Sequence, residues 1–238
     1  MDEPTNGLRP PISVVVFPGS NDDRDAERAL DQLGANASRI WHTESTLPLD
    51  TAAVVLPGGF SYGDYLRCGA IARFSPIMTA VTRFAADGGL VLGICNGFQV
   101  LTEAQLLPGT LRPNESLSFV CRDVALRVAH ADGPFTSRCH AGQRLTIPVK
   151  HGDGCWYADP ETIDRLEANE QILLRYEPSE NPNGAIADVA GVCNERGNVL
   201  GLMPHPEHAA NPLLGSTDGA LILGSLVDAA RLSAAAIV

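Results

Sequence analysis

The chain has 238 residues, and its 28 acidic against 17 basic side chains give a formal net charge of −11. So acidic a protein repels phosphate backbones and anionic lipids, which argues against nucleic acid or a membrane surface as a partner. Hydrophobic residues make up 45% of the chain, as in globular domains, and no apolar run approaches the roughly 18 residues that a membrane span requires.

The polar amino-terminal stretch lacks the apolar core of a signal peptide. Six cysteines occur without any C-x-x-C spacing, which argues against a zinc ribbon or a thioredoxin-like motif and favours reduced thiols. We therefore expect a cytoplasmic protein. We also predict a flexible leader over residues 1–11 and a single domain over residues 12–238.

The first half of the chain alternates apolar runs with segments of helical spacing. In chain order it predicts strands at 12–17, 39–42, 52–56 and 90–94 and helices at 22–33, 70–86 and 98–107. Ser20 or Asn21 is predicted to cap the first helix. Strands that are apolar throughout are typical of a parallel sheet covered by helices on both faces.

The second half is richer in strands. It predicts strands at 117–129, 143–149, 171–177, 185–193 and 198–203, with helices near 161–168 and 218–235. The predicted fold class is therefore α/β, with a central, mostly parallel sheet and extra antiparallel strands in the second half. In such a fold the ligand site lies at the carboxyl ends of the strands.

The strongest chemical signal is Gly93-Ile94-Cys95-Asn96-Gly97-Phe98-Gln99, which follows an apolar strand and opens a helix. This strand–turn–helix pattern is typical of a nucleophile elbow, here with cysteine in place of serine. The flanking glycines leave room for a turn that strains the nucleophile's backbone. Because a helix amino terminus also favours the thiolate form, we predict that Cys95 is a catalytic nucleophile rather than a buried structural cysteine.

A thiolate nucleophile needs a base, and the base needs a group that orients it. Met203-Pro204-His205-Pro206-Glu207 follows a predicted strand, and its prolines favour extended chain, in which side chains two residues apart point the same way. We predict that His205 is the acid–base and that Glu207 orients it. His151 either lines the cleft or lies in a glycine turn.

The glycine pair in Leu56-Pro57-Gly58-Gly59-Phe60 ends another predicted strand. Such a pair can aim backbone N–H groups at an oxyanion, with the amide of Asn96 as the second donor. The sequence contains no G-x-x-x-x-G-K-[ST], no G-x-G-x-x-G after a strand and no cysteine–histidine cluster of metal-binding spacing. We therefore expect neither a cofactor nor a metal ion in this chain.

Together these motifs resemble class I, or triad, glutamine amidotransferases. Longer stretches are similar to one family among them, the small glutaminase subunit of phosphoribosylformylglycinamidine synthase in purine biosynthesis. The similarity runs over about residues 12–230, and its most specific stretches are residues 16–21, 57–67, 93–99, 114–116 and 193–198.

The resemblance implies a flavodoxin-like fold and glutamine as the substrate. It implies a catalytic triad of Cys95, His205 and Glu207. It places four further residues at the oxyanion or beside the substrate: Gly59, Asn96, Gln99 and Phe60.

The resemblance also implies two partner chains. The family's large synthetase subunit holds ATP, Mg²⁺ and formylglycinamide ribonucleotide, and a small third subunit helps the two dock. The sequence departs from the family pattern at Cys68, where alanine is expected, at His208, where arginine is expected, and in a longer leader. None of these departures is expected to touch the triad.

In the implied reaction Cys95 attacks the γ-carboxamide of glutamine, and His205 protonates the departing ammonia. Ammonia must stay unprotonated until it reaches the partner, so we expect a protected path. We predict a docking face near residues 60–67, because tyrosine and arginine are common at interface centres. Unchanged coupled synthesis in Tyr62→Ala and Arg67→Ala would contradict that prediction.

Two other functions share part of this pattern. A cysteine hydrolase or peptidase on the same fold would share the elbow without needing residues 57–67, and it would react with peptide electrophiles rather than glutamine analogues. A non-catalytic docking subunit would need none of the triad, and a glutamate-release assay with Cys95→Ala would identify it.

Overall fold

The computed structural model describes residues 7–235. In chain order its α-helices and strands are β1 (Pro11–Val16), α1 (Asp23–Gln32), β2 (Asn36–Trp41), β3 (Ala53–Leu56), α2 (Pro76–Ala86), β4 (Leu90–Ile94), α3 (Asn96–Glu103), β5 (Thr110–Arg112), β6 (Val120–Val128), β7 (Arg144–His151), β8 (Cys155–Tyr157), α4 (Pro160–Ala168), β9 (Ile172–Tyr176), β10 (Val189–Cys193), β11 (Val199–Leu202) and α5 (Gly219–Ala235).

The main sheet is mixed and runs in the order β2-β1-β3-β4-β11-β10-β9-β6-β7, and β5 and β8 form a separate two-stranded sheet. The pairs from β2 to β11 are parallel, and the pairs from β11 to β7 are antiparallel. Strands β3, β4 and β11 are buried along their whole length, as expected for the centre of a covered parallel sheet. The predicted α/β, flavodoxin-like fold with antiparallel strands in the second half is confirmed.

The parallel strands place the site. Helices α1 and α5 pack against β1, whereas α2 and α3 pack against β4. Strand β4 lies beside β11, with Ile94 opposite Leu202, so both strands end at the same edge of the sheet. The nucleophile elbow after β4 and the histidine loop after β11 therefore leave the sheet side by side.

Several predicted element limits are wrong for local reasons. Residues 70–75 are not helical as a block, because Ser75 has extended backbone before Pro76, which begins α2. Helix α3 begins at Asn96 rather than residue 98, directly after the elbow. Strand β10 begins at Val189 rather than residue 185, after a turn in which Ala187 has a φ of 52°. The short pair β5–β8 had no counterpart among the predicted strands.

The predicted cap of α1 is also wrong. The N-cap position is Asp22, and its side chain makes no capping hydrogen bond. The Ser20 hydroxyl accepts instead from the Phe17 N–H at 3.0 Å, within the turn after β1.

The last five residues of the predicted leader, 7–11, belong to the described part of the chain. Residues 1–6 lie outside the described part, but Arg9 Nε donates to the Ala35 carbonyl at 2.9 Å and Arg231 Nε donates to the Leu8 carbonyl at 3.0 Å. Strand β1 begins at Pro11, so the segment before it is bonded to the domain. Between residues 7 and 235 no helix is both long enough and apolar enough to cross a bilayer.

Candidate active site

Cys95 occupies a strained turn between β4 and α3. Its φ of 49° and ψ of −103° lie outside the conformations that cysteine ordinarily adopts. Glycine is required nearby, because a Cβ at Gly97 would overlap the carbonyl oxygen of Leu56 and one at Gly93 would lie 2.7 Å from the Gly97 backbone. This geometry presents the thiol at the sheet edge, as a nucleophile elbow does.

His205 and Glu207 form a buried pair in the loop that follows β11. His205 is 1% exposed and Glu207 is 2% exposed, and His205 Nδ1 donates to Glu207 Oε1 at 2.6 Å. The predicted reason for their proximity is wrong: Glu207 lies in a 3₁₀ turn over Pro206–Ala209, not in extended chain. The His205 N–H donates to the Pro148 carbonyl at 2.8 Å, which ties this loop to β7.

The protonation of His205 is set by its neighbours. Burial alone would lower the pKa of His205, but the nearby charges of Glu207 and Cys95 raise that pKa to about 10. Because Nδ1–H is committed to Glu207, Nε2 is the nitrogen left to receive the Cys95 proton. Nε2 is buried and has no hydrogen-bond partner among residues 7–235. The structure thus brings the three predicted triad residues together.

The glycine turn after β3 lies against the loop after β1. Gly59 has a φ of 144°, and a Cβ there would lie 2.6 Å from the Asn21 nitrogen. The Gly59 N–H has no acceptor in the described part of the chain. The Asn96 N–H is in the first turn of α3, where helix geometry leaves amides unpaired. The Phe60 N–H is not available in the same way, since it donates to the Gly19 carbonyl at 2.8 Å.

Both polar atoms of the Gln99 side-chain amide make hydrogen bonds within the chain. The Ser61 N–H donates to Asn96 Oδ1 at 3.1 Å, Asn96 Nδ2 donates to Gln99 Oε1 at 2.8 Å, and Gln99 Nε2 donates to the Asp153 carbonyl at 2.7 Å. This relay links α3 to the loops that follow β3 and β7. Its effect is to hold the elbow in place against both loops.

A small cavity of about 90 Å³ lies beside the nucleophile. Its lining residues are Gly59, Phe60, Asp64, Cys68, Cys95, Gln99, Phe119, Lys150, His151, Gly152 and Asp153. A larger cavity of about 470 Å³ lies elsewhere, against Glu103 and Arg165, and no triad residue lines it. The smaller cavity, which Cys95 lines, is therefore the candidate substrate site.

Two carboxylates face this cavity. Burial and the neighbouring Asp153 raise the pKa of Asp64, although contact with Cys68 opposes them. The Cys68 thiol donates to Asp153 Oδ2 at 3.0 Å, and burial raises the pKa of that thiol. Asp64 Oδ1 is buried without a hydrogen-bond partner, and across the described residues neither carboxylate has an ion-pair partner within 4.0 Å. Sequence reasoning missed both carboxylates, which no spacing rule marks.

His151 lines the cavity, but its ring nitrogens are occupied. Nδ1 lies 3.0 Å from Asn114 Oδ1 and Nε2 lies 3.3 Å from Asn183 Nδ2, so the neutral ring donates to one amide and accepts from the other. Burial and the charge of His205 lower the pKa of His151 to about 4. The ring is therefore a neutral part of the cavity wall, not a second base.

One departure from the family pattern does touch the triad, contrary to expectation. His208 Nε2 lies 3.7 Å from Glu207 Oε1, and the His208 and His205 ring centroids are 5.5 Å apart. Of the other two departures, Cys68 lies in the cavity wall, and the described part of the leader lies at β1.

His205 and three side chains around it form a group of possible cation ligands. Donor atoms of Asp22, His205, Glu207 and His208 all lie within 4.8 Å of one another. The Lys150 ammonium lies in the same place, 2.5 Å from Asp22 Oδ1 and 3.0 Å from His208 Nε2. Lys150 therefore places a positive charge against this group. The expectation that the chain binds no metal ion stays a prediction.

Tyr62 and Arg67, in the predicted docking face, make hydrogen bonds within the chain. The Tyr62 hydroxyl bonds His42 Nδ1 at 2.8 Å and Ser75 Oγ at 2.9 Å. Arg67 makes two hydrogen bonds to the Glu103 carboxylate, at 2.5 and 2.7 Å. A loss of coupling in either alanine variant would therefore report packing as well as docking.

Comparison with known proteins identifies the family. Residues 9–218 match the model of the CobB/CobQ-like glutamine amidotransferase domain. The chain is 57% identical over 232 residues to phosphoribosylformylglycinamidine synthase subunit PurQ of Salinibacter ruber, covering 94% of this chain and 98% of that one. It is 55% identical over 221 residues to the subunit of the same name from Rubrobacter xylanophilus, covering 93% and 99%.

A solved structure gives the same result. A chain of the PurLQS structure from Thermotoga maritima is similar with a TM-score of 0.85 and 41% identity, covering 93% of this chain and 99% of that one. The chain therefore belongs to the CobB/CobQ-like glutamine amidotransferase family. The resemblance drawn from the sequence motifs is confirmed, and the chain is a glutamine amidotransferase.

Proposed function

We propose that this chain is the glutaminase subunit of phosphoribosylformylglycinamidine synthase. It hydrolyses glutamine and delivers the ammonia to a large synthetase subunit, which converts formylglycinamide ribonucleotide to formylglycinamidine ribonucleotide in de novo purine biosynthesis. A small third subunit completes the proposed assembly. The observation that carries the proposal is the strained Cys95 beside the buried His205–Glu207 pair.

The first half of the reaction makes a thioester. His205 Nε2 takes the Cys95 proton, and Glu207 stabilises the imidazolium that forms. The thiolate attacks the γ-carboxamide carbon of glutamine, and the carbonyl oxygen becomes an oxyanion. The Gly59 and Asn96 amides are the donors proposed for that oxygen.

The second half releases the products. His205 returns its proton to the nitrogen as the carbon–nitrogen bond breaks, which gives ammonia and a γ-glutamyl thioester on Cys95. His205 then takes a proton from water, whose oxygen attacks the thioester. Collapse of that intermediate, with the proton returned to sulfur, gives glutamate and the free Cys95 thiol.

The charge of the cavity supports an amino acid as the substrate. Asp64 and Asp153 lie in the same cavity wall as Cys95 and have no cation within ion-pair distance in the described chain. Two close carboxylates are stabilised by a shared positive charge. We propose that the α-ammonium group of glutamine supplies it.

The rim of the cavity supports a partner chain that receives ammonia. Phe60 and Phe119 both line the cavity and stand 43% and 55% exposed, with ring centroids 6.4 Å apart. Tyr65 and Leu66 follow Phe60 closely in the chain and are 74% and 89% exposed. Exposed aromatic and aliphatic side chains grouped at a site mouth are typical of a docking surface. A partner seated there would shield ammonia from bulk water.

The cofactors belong to the partner in this proposal. ATP and Mg²⁺ are assigned to the synthetase subunit, because this sequence holds no nucleotide-binding motif of the kinds considered above. All six cysteines are free thiols, which together with an ATP-consuming partner supports a cytoplasmic location for the assembly.

Coupled synthesis with two nitrogen sources tests the proposal. In the complex with its synthetase subunits, Cys95→Ala should reduce glutamine-dependent synthesis by roughly a thousandfold or more. Ammonium-dependent synthesis should be unchanged, because ammonium bypasses this chain. The exposed Cys121 is the matched control, and Cys121→Ala should leave both reactions intact. Glutamine-dependent synthesis that survives in Cys95→Ala would refute the proposal.

A further inference from the structure

Asp22 makes an unexpected set of contacts for a residue at the start of a helix. It occupies the N-cap position of α1, where aspartate ordinarily accepts a hydrogen bond from the helix backbone. Its side chain makes no such bond and is only 4% exposed. The carboxylate is turned instead toward the catalytic histidine, with Oδ2 3.7 Å from His205 Nδ1.

The other oxygen of this carboxylate is held in place. Lys150 Nζ donates to Asp22 Oδ1 at 2.5 Å, and His208 Nε2 lies 3.1 Å from the same oxygen. His208 Nε2 donates to Asp22 in one ring tautomer and accepts from Lys150 in the other. Asp22 keeps its hydrogen bond from Lys150 with either tautomer. Burial would raise the pKa of Asp22, but His208, His205 and Lys150 together hold it well below its usual range.

Gly58 leaves the space that this approach needs. A Cβ at Gly58 would lie 2.5 Å from Asp22 Oδ2 and 2.6 Å from His205 Cε1. The Asp22 N–H also donates to the Gly58 carbonyl at 3.2 Å. The glycine turn after β3 thus serves two neighbours: Gly59 offers its amide to the oxyanion, and Gly58 admits Asp22 to the histidine.

We propose that Asp22 is a positioning residue of the glutaminase reaction, a second carboxylate that fixes the His205 ring and stabilises its protonated form alongside Glu207. Lys150 and His208 fix Asp22 in turn. The inference rests on the proposed role of His205 as the acid–base. It adds a residue from the loop after β1 to a site whose acid–base loop follows β11.

The charge on Asp22 acts within a crowded environment. The ionisable groups around the ring are Asp22 before α1, Cys95 before α3, Lys150 and His151 at the end of β7, and Glu207 and His208 in the turn after β11. Lys150 and His208 offset part of the negative charge of Asp22. We therefore expect removal of Asp22 to have a smaller effect on His205 than removal of Glu207.

Asp22→Asn tests the inference, since it keeps the shape of the side chain and removes the charge. In the full chain, NMR titration of the His205 imidazole should give a value lower by about half a pH unit or more. In the complex, the pH at which kcat/KM for glutamine falls on the alkaline side should move down in the same direction. The matched control is Asp23→Asn, because Asp23 is adjacent and buried but pairs with Arg39 at 3.0 Å.

The outcomes separate this inference from the proposed function. Asp22→Asn that titrates like wild type, or an equal shift in Asp23→Asn, would overturn the role of Asp22. Asp22→Ser provides a second variant if the amide does not fit beside Lys150, and the same downward shift is expected. A wild-type complex that fails to hydrolyse glutamine would refute the proposed function instead, and the NMR titration would still decide the role of Asp22.

Discussion

The proposed nucleophile, Cys95, and its proposed acid–base partner, His205, are built in contrasting ways. The nucleophile is local: Cys95, its flanking glycines and the first residues of α3 lie within seven consecutive positions, and backbone shape sets their geometry. The acid–base side gathers Asp22, Lys150 and the turn over Pro206–Ala209 from three distant parts of the chain. Charged side chains make the contacts that join these three parts.

This contrast predicts where each kind of substitution does damage. The elbow should be sensitive to added volume, because a Cβ at Gly97 would overlap the backbone of β3. The acid–base side should tolerate isosteric changes in folding but lose activity when a charge is removed. The following variants test these expectations, beginning with the largest effect.

Glu207→Gln should have the largest effect of the three. It keeps the shape of a side chain that is 2% exposed but removes the carboxylate that accepts from His205 Nδ1. We expect glutamine-dependent synthesis to fall by about 10²- to 10⁴-fold while ammonium-dependent synthesis is kept. The exposed Glu161→Gln is the control. A loss of less than threefold, with normal folding, would contradict a charge-based role for Glu207.

The local side of the site could be predicted from the sequence, because its information is contiguous. The strands β1, β3 and β4 are short apolar runs closed by proline or glycine, and Cys95 follows one of them directly. The Gly93 and Gly97 spacing marks the elbow without any knowledge of the rest of the fold. The pairing of His205 with Glu207, the other proposed triad members, could also be predicted, since they lie two residues apart.

The rest depends on contacts that no local pattern records. Asp22 looks like an ordinary acidic residue at a helix start, and only the packing of α1 against the turn after β11 brings it to His205. The same limit explains why the 3₁₀ turn over Pro206–Ala209 was predicted as extended chain: α5 packs tightly on it, with Gly219 against the Pro206 backbone. Asp64 and Asp153 likewise meet only in three dimensions.

A variant of His151, at the end of β7, tests the antiparallel part of the sheet through the free energy of unfolding rather than through catalysis. Its pKa falls from 6.5 to about 4 on folding, so the unfolded chain binds its proton first as the pH drops. This contribution to stability is complete above pH 6.5 and is lost as the pH falls toward 4. Its size is about 3 kcal/mol. Denaturant unfolding at several pH values should show a correspondingly flatter acid limb in His151→Gln.

The matched control for this experiment is His140→Gln, because His140 is exposed. It should keep the wild-type dependence of unfolding free energy on pH. If His151→Gln lost as much stability between pH 6.5 and 4 as the wild type, burial of the neutral ring between Asn114 and Asn183 would not be the cause of that loss.

Asp64→Asn should have the smallest effect. It tests whether the nucleophile side of the site also depends on a charged side chain, here for binding glutamine. If Asp64 shares the α-ammonium of glutamine with Asp153, the amide should raise KM for glutamine about tenfold with little change in kcat. The sharper measurement compares glutamine with 4-carbamoylbutanoate, which has the reacting carboxamide but no α-ammonium. Wild type should prefer glutamine strongly, and Asp64→Asn should lose much of that preference. The exposed Asp87→Asn is the control. An unchanged preference in Asp64→Asn would show that the charge of Asp64 does not contribute to substrate recognition on the nucleophile side.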